Sequence, residues 1–151
     1  MFRMTNTRVV LASTCFVILG CQTHSLEKDF FNTPRASRVE HLRRYSLADQ
    51  YKIFRYGMDR MEPPDMGLAE PIAGRGAAAV PFLLDRLNSK PDDITVRDIL
   101  LIFDTMATSK SYEVKSDAAL MATLESSVSG MKDHDWQDVC SKQIQRIKDT
   151  T

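Results

Sequence analysis

Apolar residues recur at helical spacing along most of the chain, and this periodicity constrains the fold more than any other feature of the sequence. Leu47, Tyr51, Phe54 and Met58 follow one another at i, i+4, i+7 and i+11, which places them on one face of a helix. Four more apolar stripes lie over residues 77–87, 96–107, 120–131 and 136–147. Since no segment shows the apolar–polar alternation of a strand, the sequence predicts an all-α fold.

Polar residues indicate where the helices begin. Ser37 and Glu40 have the spacing of a capping box, in which each side chain satisfies an unpaired backbone N–H group. Further predicted starts are Ser46, Thr95, Ser116, and Asp133 or Asp135. Pro63 and Pro64 end the helix of the first stripe, and residues 67–74 leave room for one short helix only.

The stripe over residues 96–107 is the widest, because Leu101 and Ile102 extend it beside Leu100 and Phe103. We therefore expect this helix to be the most buried one. The last stripe, which we expect on one buried side of its helix, comprises Trp136, Val139, Cys140, Ile144 and Ile147.

The stretch over residues 72–87 (IAGRGAAAVPFLLDRL) resembles the second helix of HEAT-like repeats. Such helices open with Gly and Ala, carry Val-Pro early and continue with paired Leu, and their small residues let neighbouring helices approach closely. The resemblance extends over roughly residues 46–131 and implies a compact stack of antiparallel helical hairpins. An irregular bundle of five or six helices would show the same pattern, so both architectures stay open.

The N-terminus has the pattern of an export signal. Arg3 and Arg8 precede the largely apolar run over residues 9–19 (VVLASTCFVIL), which is 11 residues long. That length suits the hydrophobic region of a signal peptide and is too short for a permanent membrane span. A buried N-terminal helix is the alternative. The run ends in Gly20 and Cys21, and the segment ILGC resembles the lipobox of bacterial lipoproteins.

The lipobox resemblance implies three modifications at Cys21. A diacylglycerol thioether would form on its sulfur, the chain would be cleaved before it, and the new amino group would be acylated. Three acyl chains are a durable anchor, whereas one binds a membrane only marginally. Gln22 stands where an Asp would retain the protein at the inner membrane, which implies the outer membrane, facing the periplasm.

These features divide the chain into three parts. Residues 1–20 are the predicted signal peptide, residues 21–37 the lipidated cysteine and a tether, and residues 38–151 the helical domain. Phe30 and Phe31 are the large aromatic residues of the tether, and they could enter lipid headgroups or dock on the domain.

The sequence predicts no cofactor, no metal site and no catalysis. His24, His41 and His134 lack the spacing of zinc ligands. Cys140 follows His134 by six residues, so a helix places the two side chains about 240° apart, and Cys140 joins the apolar stripe. We interpret it as a buried hydrophobe.

Two other groups of polar residues have structural and functional interpretations. Paired carboxylates such as Asp92 and Asp93 stand at helix starts, where capping is the better interpretation. Gly74-Arg75-Gly76 could cradle an anion at a helix start, although a tight interhelical turn is favoured.

Charge is balanced overall and polarised along the chain. Twenty basic residues match 20 acidic ones, which excludes a strongly basic nucleic-acid binder. Residues 35–60 hold seven bases against three acids, and residues 85–138 hold eleven acids against six bases. The basic segment lies next to the predicted anchor, so it could face anionic headgroups and present the acidic segment to a partner. An ordinary solvated surface is the alternative.

Together these features predict a lipid-anchored, non-catalytic interaction module that binds another envelope protein. An immunity or inhibitor protein against a secreted toxin is the alternative. A small envelope hydrolase is a second alternative, and it would need a polar catalytic pair in a cleft. The sequence does not indicate the oligomeric state.

Overall fold

The structure, a computed structural model, describes residues 25–150, and within this range the chain is helical without a strand. The helices are α1 (Leu26–Phe31), α2 (Arg38–Leu42), α3 (Leu47–Arg60), α4 (Ala69–Ala73), α5 (Val80–Asn88), α6 (Asp93–Thr108), α7 (Ala118–Ser129) and α8 (His134–Asp149). The prediction of an all-α fold is confirmed. The predicted signal peptide, Cys21 and His24 lie outside the described residues.

Helix α6 forms the centre of the core, and both α4 and α8 pack against it. It contributes more buried residues than any other helix in the described range, among them Leu100 and Phe103, which are 1% and 0% exposed. The prediction that residues 96–107 form the most buried helix is therefore confirmed. Packing around one central helix suits both of the predicted architectures, the hairpin stack and the irregular bundle.

Two helix starts were predicted correctly together with their capping hydrogen bonds. The Ser46 hydroxyl accepts a hydrogen bond from the backbone N–H of Asp49 at 3.2 Å, as an N-cap does. The Asp133 carboxylate accepts from the backbone N–H groups of Asp135 and Trp136 at 3.0 and 3.1 Å.

Ser37 is the N-cap residue of α2, as predicted, but its hydroxyl donates to the Pro34 carbonyl, so the predicted capping box does not form. Two predicted starts were wrong. Helix α6 is capped by Asp92, and α7 by Asp117, instead of the predicted Thr95 and Ser116. An ionised carboxylate is a stronger acceptor for backbone N–H groups than a hydroxyl, which favours aspartate where both are available.

The predicted tether over residues 21–37 is wrong from residue 26 onward, because helix α1 forms there and packs on the domain. Phe30 is 1% exposed and stacks on His41 with 5.5 Å between ring centroids. It also meets Tyr45 edge-on at 5.8 Å. Docking of this aromatic residue on the domain, one of the two sequence alternatives, is what the structure shows. The packed unit therefore includes α1 and begins before residue 38.

Candidate functional site

The large apolar side chains exposed in the described range are Met66 at 59% and Val139 at 45%, and both line the same groove. The groove has a volume of about 230 Å³. Met58 on α3, Leu101 on α6 and Trp136 on α8 complete its apolar lining. Exposed apolar side chains scattered singly are common, whereas two on one concave surface mark a candidate interaction site.

Helix α8 supplies one wall of the groove through a second apolar face. Trp136, Val139 and Gln143 follow at i, i+3 and i+7, so they share one side of the helix. Cys140 and Ile144 lie on the adjacent side and are buried in the core. The expectation that Val139 belongs to the buried stripe is therefore wrong, because this position lies at the stripe's edge and faces the groove.

The opposite wall is the segment between α3 and α4, which contributes Pro64 and Met66. Asp65 between them is fixed by two contacts. Its carboxylate accepts a hydrogen bond from Arg38 at 3.0 Å, and its backbone N–H donates to the Gly57 carbonyl at 3.3 Å. The exposed Met66 is therefore carried by a segment that is held firmly to the core.

A charged cluster stands beside the apolar lining. Arg97 lies over the ring of Trp136, with its guanidinium carbon 4.6 Å from the ring centroid. Through Nε and Nη2 it donates to one oxygen of Asp98 at 2.9 and 2.6 Å. Arg55 pairs with the other oxygen of Asp98 and donates to the Ile94 carbonyl at 3.2 Å.

This cluster is unbalanced, because two guanidinium groups share the single carboxylate of Asp98. The Asp98 side chain is 1% exposed, and burial raises its pKa above the ordinary value of 3.8, although Arg97 and Arg55 oppose that shift. With the carboxylate ionised, these three side chains carry one net positive charge, and both arginines also interact with the exposed Asp92 and contribute to lowering its pKa. Arg97 is the ionisable side chain through which that charge reaches the groove.

Gln143 adds an unsatisfied polar group to the lining. The residue is 7% exposed, and its Oε1 is the buried side-chain polar atom of the described residues that lacks a hydrogen-bond partner. Leaving such a group unpaired costs about 1–3 kcal/mol. An unpaired buried amide at the edge of a groove is consistent with a ligand that supplies the missing partner.

The groove is suited to receiving apolar side chains. A cavity of about 150 Å³ is large enough for benzene, so a volume of about 230 Å³ corresponds to one or two large side chains. Pockets for whole small molecules are larger, about 300–1,000 Å³. The lining supplies no nucleophile and no general base, since Arg97 and Gln143 are its polar members.

The histidines and the cysteine in the described range do not form a reactive set. His41 is hydrogen-bonded to Thr33 Oγ1 at 3.0 Å, and His134 is exposed at the start of α8. Cys140 is 0% exposed, and burial raises the pKa of its thiol to about 11. Its interpretation as a buried hydrophobe is confirmed.

The carboxylates at helix starts act as caps. Asp92 accepts from the backbone N–H of Thr95 at 2.7 Å. Asp93 accepts from the N–H groups of Lys132 and Asp133 at 2.9 and 2.8 Å, which ties the start of α6 to the start of α8. Over residues 25–150, no group of three or more His, Cys, Asp or Glu side chains could hold a metal ion.

The residues over 74–76 form an interhelical turn. Arg75 is exposed, and it donates to Gln50 Oε1 at 2.9 Å and to the Tyr45 carbonyl at 2.7 Å, so Nε and Nη2 are both engaged by the protein. Gly76 has a φ of +54°, and an added Cβ would come within 2.5 Å of the Ser111 carbonyl oxygen. The structure thus favours the turn over the anion cradle.

The basic segment over residues 35–60 is less free than its composition suggests. Arg38 and Arg55 are directed at buried acids, and Arg43 pairs with Glu40 at 3.3 Å. Five basic residues of the segment are exposed: Arg35, Arg43, Arg44, Lys52 and Arg60. Exposed bases are the ones that an anionic headgroup would attract.

No protein-family model matches the chain, and neither a curated protein nor a solved structure matches it. In the range that the structure describes, none of the helices combines the length and apolar character that crossing a bilayer requires. The resemblances to bacterial lipoproteins and to HEAT-like repeats therefore remain predictions from the sequence.

The groove itself was not predicted from the sequence. The available signal was that three apolar stripes are wider than the core can bury. Met58, Leu101 and Val139 each belong to such a stripe but are not fully buried. Spacing alone assigned all three to the core. Which edge of a stripe stays open depends on where the neighbouring helix packs, and that is a property of the tertiary structure.

Proposed function

We propose that the chain is a non-catalytic interaction module of the bacterial envelope, anchored by lipid at Cys21 and facing the periplasm from the outer membrane. The observation that carries the proposal is the groove lined by the exposed Met66 and Val139. Its occupant is a segment of another envelope protein.

Exposed apolar area supports binding over catalysis. Full burial of a large apolar side chain contributes about 1.5–3 kcal/mol, so covering Met66 and Val139 offers a substantial gain to a partner. The firm attachment of Asp65 to Arg38 adds to that gain, because a preorganised surface loses little conformational entropy on binding.

The anchor rests on the N-terminal sequence and has its own test. A basic region, an apolar run of 11 residues and Gly20-Cys21 occur in the order of a lipoprotein signal. In cells fed a radiolabelled fatty acid, we expect the wild-type chain to be labelled, shortened and recovered with membranes. Cys21→Ser should be neither labelled nor shortened, and labelling of that variant would exclude this anchor.

The interaction is tested by photo-crosslinking in cells. A photoreactive amino acid replaces Val139 in the groove or, as a control, the exposed Ser126 on α7. We expect one discrete adduct from position 139 that position 126 does not give. Equal adduct patterns from the two positions would show that the groove is not the interaction surface.

A further inference from the structure

We infer that the groove accepts an amphipathic peptide segment of its partner, which inserts one or two large apolar side chains and places a carboxylate against Arg97. This inference rests on the proposed function and specifies the chemistry of the partner. It follows from the charge of the Arg55–Asp98–Arg97 cluster, the unpaired amide of Gln143 and the size of the groove.

The charge cluster determines what the occupant must carry. Two guanidinium groups share the buried carboxylate of Asp98, and the Arg97 side chain is 17% exposed at the groove. A wholly apolar occupant would remove water from a net positive charge, which is costly when no counter-charge replaces the water. A carboxylate on the occupant would neutralise the cluster.

Arg97 retains a donor for that carboxylate. Its Nε and Nη2 both donate to Asp98, whereas Nη1 makes no hydrogen bond to the described residues. The ring of Trp136 covers one face of the guanidinium group. A carboxylate at Nη1 would form a charge-assisted hydrogen bond, the stronger class of such bonds.

Gln143 favours a peptide over a lipid. Its Oε1 is a hydrogen-bond acceptor without a partner, so an occupant that carries N–H donors suits it better than one that carries none. A peptide segment carries N–H groups, whereas a fatty acid offers a carboxylate and an apolar chain without one. The groove volume of about 230 Å³ also matches one or two side chains.

The test uses a display library of random peptides with the full chain, held in lipid nanodiscs, as the target. We expect the selected peptides to share two apolar residues three or four positions apart with an adjacent Asp or Glu. Replacing that acid by its amide should weaken binding to the wild-type chain at least about tenfold, equivalent to about 1.4 kcal/mol.

The chain variants locate the effect. The Arg97→Gln variant should bind the acidic peptide and its amide form with affinities that differ by no more than about twofold. The Arg97→Lys variant should keep most of the preference for the acidic peptide. Val139→Asn should weaken the acidic peptide at least about tenfold, and the matched surface variant Ser126→Asn should leave its affinity unchanged. Thermal unfolding of each variant establishes that it is folded at the assay temperature.

The outcomes separate this inference from the proposed function. Peptides that lose affinity on Val139→Asn but show no acid preference would overturn the inference and leave the interaction module standing. Complete competition by oleate together with no acid preference would assign the groove to lipid and overturn the inference. If no selected peptide responds to Val139→Asn, the groove is not a binding site and the proposed function fails with the inference.

Discussion

Arg38 and Asp65 form a buried ion pair, 3.0 Å from Nη1 to Oδ2, that joins the N-terminal segment to the wall of the groove. Both side chains are 10% exposed. Arg38 also donates to the carbonyl oxygens of Phe31 and Thr33, at 3.0 Å each. One guanidinium group thus fixes the end of α1 and the segment that carries Met66.

Removing Arg38 should be strongly destabilising. Arg38→Met leaves the buried Asp65 carboxylate with Arg35, 3.9 Å away and largely exposed, as its remaining ion-pair partner. Breaking a buried pair costs about 3–5 kcal/mol. The control is Arg43→Met, whose pair with Glu40 is exposed and contributes about 0–1 kcal/mol. Urea unfolding followed by circular dichroism measures both changes. Equal effects of the two substitutions would contradict the structural role of Arg38.

Truncation in α6 should reveal where the core lies. Leu100→Ala and Phe103→Ala should each lower the free energy of unfolding by about 2–5 kcal/mol, because both side chains are buried and leave a cavity. Leu101→Ala, in the half-buried groove lining of the same helix, should cost less than either. A melting temperature unchanged by both core substitutions would overturn the core assignment.

The Cys140 thiol should be inert in the folded protein. It is 0% exposed, and its pKa is raised to about 11, so at pH 8 the thiol is neither accessible to a reagent nor ionised. With Cys15→Ser and Cys21→Ser, Cys140 is the remaining thiol. We expect a maleimide to label this variant in urea but not under native conditions. Rapid native labelling would place Cys140 outside the core.

The cap of α6 should make stability sensitive to acid. Hydrogen bonds from the Thr95 side chain and backbone hold the pKa of Asp92 below its ordinary value of 3.8. A carboxylate whose pKa is lower in the folded than in the unfolded state stabilises the fold when it is ionised. This stabilisation is fully present above pH 3.8 and is lost as the pH falls through the folded-state pKa. Relative to Asp92→Asn, a cap that does not titrate, the wild-type free energy of unfolding should therefore decline below pH 3.8.

Urea unfolding of wild type and of Asp92→Asn, each measured at several pH values, tests this expectation. If the difference between wild type and Asp92→Asn stays constant from about pH 5 down to pH 3, ionisation of Asp92 does not stabilise the fold.

Long periodic stripes predicted the all-α fold well, because a long apolar stripe at helical spacing is buried only when its segment forms a helix packed against the core. The wide stripe around Leu100 and Phe103 needs extensive cover, and α4 and α8 both pack against this helix. Helix α1 has six residues, too few for a periodic pattern, and its local signal is the Ser25 cap, which accepts from the backbone N–H of Lys28. Short helices of this kind are stabilised mainly by tertiary packing, here by the buried Phe30 against His41.

The candidate site was harder to predict for a related reason. Arg97 and Asp98 are neighbours on α6, whereas Arg55, the third member of the cluster, lies on α3, 43 positions before Asp98. No local spacing links Arg55 to Asp98, nor Met66 to Val139. The sequence indicated which side chains are apolar or charged, whereas the packing of α3 and α8 beside α6 determined which of them meet.

The most direct measurement is the yield of the crosslink from position 139 in living cells, compared among the otherwise wild-type chain, Met66→Asn and Cys21→Ser. We expect a discrete adduct in the membrane fraction from the otherwise wild-type chain, and its loss in both variants, because one lacks part of the groove and the other the anchor. An adduct of unchanged yield in Met66→Asn and Cys21→Ser would contradict a membrane-anchored groove as the binding surface.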